Sequence, residues 1–102
     1  VSRRPRLRWS RLADLDLQAA HAFLYEKNPE AARRLAASIL DAVEGLRNHP
    51  QMGAVARDLA PLGRYRHWVS GHHRIIYRID PETIWILRVW DARRNPDELI
   101  PE

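Results

Sequence analysis

Hydrophobic and polar positions alternate with a period of two from Arg6 to Trp9, with Leu7 and Trp9 on one side and Arg6 and Arg8 on the other. That alternation predicts a short edge strand. From Ser10 the period lengthens. Leu12, Leu15, Ala19, Ala22 and Phe23 recur at helical spacing, behind Ser10 as a good N-cap. Asp14 and Asp16 stand in the early turns, where the helix dipole favours negative charge. A first helix is predicted from Arg11 to about Lys27, with the Leu12-to-Phe23 stripe packed into a core. Asn28 then caps a second helix that opens on Pro29 and Glu30. Its stripe is Ala32, Leu35, Ala36, Ile39, Val43 and Leu46, and it should end near Asn48 because Pro50 cannot continue it. So short a link between two helices makes them an antiparallel hairpin.

Pro50 to Gly63 contains Gly53, Pro61 and Gly63 and reads as a loop. Three strands should follow. Arg64 to Val69 alternates Arg64, Arg66 and Trp68 with Tyr65, His67 and Val69. His73 to Ile79 alternates His73, Ile75, Tyr77 and Ile79, expected to face the helices, with Arg74, Ile76 and Arg78, expected to face away. Thr83 to Trp90 is rich in β-branched and aromatic residues. Short connections make these an antiparallel meander. The tail, from Asp91 to Glu102, is polar, carries Pro96 and Pro101, and has room for a short helical turn. The order β-α-α-β-β-β predicts an α+β domain of two layers, a helix hairpin on one face of an antiparallel sheet, with residues 1–102 as one domain.

Arginines populate the face turned away from the helices, and composition sharpens their meaning. The chain has 102 residues, Lys+Arg 17 against Asp+Glu 13, and a net charge of +4. Every basic residue except Lys27 is arginine, whose planar fork suits phosphate and carboxylate. A basic balance favours nucleic acid, an acidic protein partner or anionic lipid. There is no cysteine, which fits a reducing cytoplasm and leaves no thiolate metal site. No apolar run approaches a membrane span, and the basic VSRRPRLRW start has no apolar region after it, so neither a membrane segment nor a signal peptide is expected.

If Arg64 and Arg66 lie beside Arg74 and Arg78 on one side of adjacent strands, their like charges repel, and an anion over them would relieve the strain. Arg93 and Arg94, just past the last strand, would close one edge, and Trp68 and Trp90 would supply stacking area. His72 and His73 head the arginine-bearing strand, but neighbours on a strand point to opposite faces, so at most one reaches such a site. Histidines and carboxylates lack the local spacing of zinc ligands, and there is no glycine-rich phosphate loop. Neither a metal nor another cofactor is expected, nor a small-molecule substrate.

Four stretches taken in order, NPEAARRL, the HPQMG loop opening, RIIYRID and ILRVWDARRNP, together resemble the RelE/ParE superfamily of bacterial toxins over nearly the whole chain. The resemblance implies the toxin of a type II toxin–antitoxin system, of the plasmid-stabilising kind, held inactive by an antitoxin whose acidic tail folds over it. RelE-like members act as mRNA interferases on the ribosome, whereas ParE-like members poison DNA gyrase. Under the RelE-like reading Arg74, Arg94 (or Arg93 with a one-residue shift) and Arg66 would be catalytic, with Arg64 or Arg66 positioning the phosphate. Under either reading Arg64, Arg66, Arg74, Arg78, Arg93 and Arg94 are candidate contacts for nucleic acid or antitoxin. The tyrosine that RelE-like members carry near the C-terminus has no counterpart, since Leu99 and Ile100 occupy that region, and His72 or His73 would have to substitute. The long helix hairpin and ILRV resemble the ParE-like branch more closely. The reading favoured is therefore a cytoplasmic gyrase inhibitor, ahead of a ribosome-dependent endoribonuclease and a degenerate chain that only binds antitoxin.

Overall fold

The computed structural model describes residues 4–101, so Val1 to Arg3, the start of the basic N-terminal stretch, and the terminal Glu102 lie outside it. Strand β1 (Arg6–Trp9) leads into helices α1 (Arg11–Tyr25) and α2 (Pro29–Asn48). A 3₁₀ turn (Pro50–Met52) and a two-residue strand β2 (Ala54–Val55) follow, inside the stretch expected to be plain loop. Strands β3 (Arg66–Ser70), β4 (His73–Ile79) and β5 (Thr83–Asp91) complete the sheet, and a 3₁₀ turn (Pro96–Glu98) lies in the tail. The expected α+β architecture is present.

Both helix starts form as their cap residues predict. The Ser10 hydroxyl accepts the Ala13 N–H at 3.1 Å, and the Asn28 side-chain Oδ1 accepts the Ala31 N–H at 3.1 Å. The first helix ends at Tyr25, two residues short of Lys27. The sheet order is β1-β5-β4-β3-β2. The meander from β3 to β5 is antiparallel, and β1 joins it as the edge strand, parallel to β5. Gly71, at φ +58, supplies the left-handed residue of the tight turn between β3 and β4.

Two cores lie on the two sheet faces. Beneath the helices, Ala13, Ile39, Val43 and Leu46 pack on Ile75, Tyr77, Ile84, Ile86 and Val89. On the far face Ala56, Leu59, Tyr65, Ile76, Leu87, Trp90 and Leu99 form a second, smaller core. That face was expected to be open and lined by arginine. Instead the 56–65 loop and the C-terminal tail cover part of it.

A register shift between β4 and β5 creates this second core. Ile76 pairs with Arg88 but Tyr77 pairs with Ile86, which leaves Leu87 as the extra residue of a bulge. Without it, Arg88 would fall in phase with Ile84 and Ile86, inside the apolar core. With it, Arg88 turns out and Val89 turns in.

Helix α1 corrects the sequence reading. Its expected core stripe faces solvent: Leu12 is 40% exposed, Leu15 46% and Phe23 65%. The packed residues are Ala13 and Leu17, one turn around, on the same face as Asp16. The reason is electrostatic. Asp16 accepts the Arg88 guanidinium at 2.7 and 2.9 Å and the Val89 N–H at 3.0 Å, and those bonds set the helix rotation.

Tyr77 ties the Pro50–Gly53 loop to the sheet. Its hydroxyl donates to the Pro50 carbonyl at 2.6 Å and accepts the Gly53 N–H at 3.0 Å. A Cβ on Gly53 would lie 2.5 Å from that oxygen and 2.6 Å from the His67 carbonyl, so only glycine fits. Tyr77→Phe should lower the unfolding free energy by about 1–3 kcal/mol in urea titrations, because the buried Gly53 N–H loses its acceptor. Asp16→Ala should cost more, about 3–5 kcal/mol, because it strands the Arg88 charge in a dry site.

Candidate functional site

The sequence placed six arginines together, and the structure divides them. Arg66 pairs across β3 and β4 with Tyr77, so it shares the helix-side face and not that of Arg74. Its guanidinium donates to the Gly53 carbonyl at 2.5 Å. Arg64 precedes β3 and reaches the Tyr65 hydroxyl at 3.2 Å. The expected four-arginine cluster therefore does not form. Arg74 and Arg78 share the far face as expected, and each meets a carboxylate. Arg78 bonds Asp80 at 3.1 and 3.2 Å.

Arg74 is largely enclosed, its side chain 13% exposed against 19% for Arg78, and it meets both a carboxylate and an imidazole. Two of its nitrogens grip Asp58, from the covering loop, at 2.9 and 2.7 Å. Its Nε donates to His67 Nδ1 at 2.8 Å. A neutral imidazole with its proton on Nε2 is the form that accepts this bond. Asp58 is held below the usual carboxylate range, chiefly by the hydrogen bond from Arg74. His67 is pushed down by burial first and by the Arg74 charge second. Sequence alternation had put His67 opposite Arg66, which does mark its face. Nothing in the sequence marked Asp58 as the partner of Arg74.

Arg93 folds back on Asp91, with Nε at 2.9 Å and Nη2 at 2.8 Å, and that carboxyl is held far below its ordinary value by this bond. Arg94 stacks on Trp90 with its guanidinium carbon 4.1 Å from the ring centre, and Arg88 approaches the same ring at 5.0 Å. Trp90 is thus a buried platform under two arginines, while Trp68 packs on the helix side, away from them. His73 is buried on the helix side, where burial pushes its pKa down, and His72 is exposed in the turn. Neither reaches Arg74. The buried Arg88, inside the ILRVWDARRNP stretch but not among the candidate site residues, also donates to the Ile100 carbonyl at 3.0 Å. Among the described residues no group of three His, Cys, Asp or Glu side chains could hold a metal ion.

The family model for the ParE toxin of the type II toxin–antitoxin system parDE matches residues 7–96. This chain belongs to the ParE toxin family. Its fold agrees with a solved chain of the chromosomal ParDE toxin–antitoxin system from P. aeruginosa, at a TM-score of 0.75 and 23% identity, over 90% of this chain and all of that one. No curated protein matches it. The toxin is a member of the RelE/ParE superfamily, ParE-like, and a component of a type II toxin–antitoxin system. Among the described residues no helix is long and apolar enough to cross a membrane.

His67 beside Arg74 and His73 beneath the helices make stability depend on pH. His67 and His73 both titrate below their ordinary 6.5 in the folded protein. Below about pH 6.5 the unfolded chain therefore binds more protons, and stability falls as pH drops until the folded values are reached. Asp58 adds the acid limb: its contribution is present above its ordinary 3.8 and is lost as pH falls through its lower folded value. The thermal midpoint should fall between about pH 7.5 and 5.5, with a smaller fall in His67→Gln, by differential scanning calorimetry.

Proposed function

We propose that this toxin arrests growth by poisoning DNA gyrase in the cytoplasm, and that a cognate antitoxin with an acidic segment neutralises it. One observation carries the choice of target. Arg74, the residue that would orient a scissile phosphate in a RelE-like enzyme, has its fork filled by Asp58 and His67. Arg66, the second catalytic candidate, points to the other face and holds a loop carbonyl. Arg94 lies over Trp90. An mRNA phosphate would have to displace a bidentate carboxylate before meeting any of the chemistry expected of a nuclease. An acidic antitoxin segment suits the exposed rim of the molecule, where Arg64 and Arg94 stand more open than Arg74.

The ribosomal reading keeps one supporting observation: His67 stands beside Arg74 in its neutral form, a pairing suited to general acid–base work on RNA. The two readings separate cleanly. Purified toxin added to gyrase, ATP and supercoiled plasmid should yield protein-linked, cleaved DNA. In cells, DNA synthesis should fall before protein synthesis, and Arg74→Ala with Arg94→Ala should still arrest growth. Intact plasmid, early loss of methionine incorporation and a harmless double variant would together establish the nuclease instead. An absence of arrest in the parent chain would mark a degenerate toxin.

A further inference from the structure

Strand β1 is the outer edge of the sheet, and its polar positions are both arginine. Arg6 and Arg8 stand on the far face, opposite Thr83 and Trp85 of β5. Arg78 of β4 pairs with Trp85 from the other side, so one indole lies in a row between two arginines. Half-buried Trp85 lines two adjoining hollows. One, of about 500 Å³, follows the outer edge of β1 past Arg6, Arg8, Trp9 and Arg47. The other, of about 310 Å³, lies beside Arg11, Arg78 and Leu87. Arg6, Arg8 and Arg11 are exposed, and none has a carboxylate partner among the described residues. Arg47 is already held by the Pro5 carbonyl at 2.8 Å and by Glu44, and Arg78 by Asp80. Acids enter only at the start of β1, where Asp80 and Glu82 line a separate pit with Arg6.

We propose that this edge is a binding surface for single-stranded nucleic acid. A base stacks on Trp85, and phosphates meet Arg6, Arg8 and Arg11. The surface is separate from the six arginines considered above, and it holds a strand rather than cutting it. It therefore stands whichever target the toxin has. Residues two apart on a strand lie about 6.5 Å apart, close to the repeat of phosphates along an extended single strand, so Arg6 and Arg8 take successive phosphates. The indole decides between partners. A carboxylate-rich peptide satisfies the guanidinium groups but has no use for an aromatic ring set among them, whereas every unpaired base has a face for it. A duplex keeps its bases stacked inside and offers that ring nothing. Neither hollow is lined by a carboxylate or amide side chain that would single out a 2′-hydroxyl, so DNA and RNA strands bind alike.

The probe is a fluorescein-labelled oligothymidylate of about eight nucleotides, long enough for one small site. Anisotropy with the intact chain should show saturable binding that weakens with salt, with a log–log slope of about −2 for three phosphates. An oligouridylate should bind equally. A duplex of the same length, and an oligomer without bases, should each bind at least about fivefold more weakly. Arg6→Gln with Arg8→Gln should cost at least about tenfold. Trp85→Leu should cost at least about fivefold, and Trp85→Phe, which keeps an aromatic face, much less. Thermal melts verify folding. Unlabelled oligomer should quench the intrinsic fluorescence of the parent but not of Trp85→Phe, which reports the contact without the leucine variant. Unchanged binding in Arg6→Gln with Arg8→Gln, a base-free oligomer as good as thymidylate, or binding lost instead in Arg74→Ala overturns the proposal. A duplex held as tightly as the single strand reduces the edge to unselective charge. A Glu-rich peptide that displaces the oligomer at equal affinity assigns the edge to an acidic protein segment. Either of these results overturns it as well.

Discussion

The ion pair between Asp16 and Arg88 joins residues 72 apart in sequence and holds three parts of the molecule at once. Asp16 belongs to α1, Arg88 to the bulged region of β5, and the same guanidinium binds the Ile100 carbonyl of the tail. Both side chains are only about one-tenth exposed. Charges so poorly hydrated persist only where geometry and additional hydrogen bonds offset the lost water. Here the carboxylate accepts three bonds, one of them from the backbone of β5. Helix rotation, strand register and tail position are therefore coupled. A change in any one would leave a charge buried without its partner.

This coupling sets the toxin's two surfaces. With Asp16 turned inward, Leu12, Leu15 and Phe23 must turn outward, and the helix layer presents apolar area to solvent. With Arg88 turned outward, Trp90 joins Leu87 on the far sheet face, which becomes a second core rather than an open platform. Arginines form a collar around that core. Most of the collar is internally neutralised, Arg74 by Asp58, Arg78 by Asp80 and Arg93 by Asp91. Net basic charge is thus a poor guide to where a partner binds. Cations that lack a nearby acid, beside apolar area that lacks a cover, are better markers, and both occur where β1 meets α1.

Within the ParE family a shared fold leaves the target to local chemistry. The guanidinium at Arg74 could in principle serve a phosphate, a carboxylate or the protein's own loop. In this chain the loop carboxylate occupies it at 2.7 Å, and His67 fixes the plane of the fork from behind. Such a site is a structural tie between the 56–65 segment and β4. That tie keeps Leu59 and Tyr65 seated on Ile76, so the arginine most suggestive of catalysis helps to hold the covering loop in place.

The sequence by itself determined the two helices, the four longer strands and their order. Ser10 and Asn28 mark helix starts because a side-chain oxygen meets an orphan N–H locally, and the alternation from His73 to Ile79 marks a strand because its side chains must divide between two faces. The resemblance carried by NPEAARRL, HPQMG, RIIYRID and ILRVWDARRNP was also legible, since these stretches build caps, the Tyr77-pinned loop and the central strands. Tertiary structure alone decided which face of α1 is buried, because two stripes at helical spacing compete and a distant arginine selects the one bearing Asp16. It alone decided the phase of β5, because a bulge leaves no mark in an apolar run. It alone separated Arg66 from Arg74 and joined Arg74 to Asp58, because strand register and loop closure are long-range properties, and a charge carries no record in sequence of the acid it will meet.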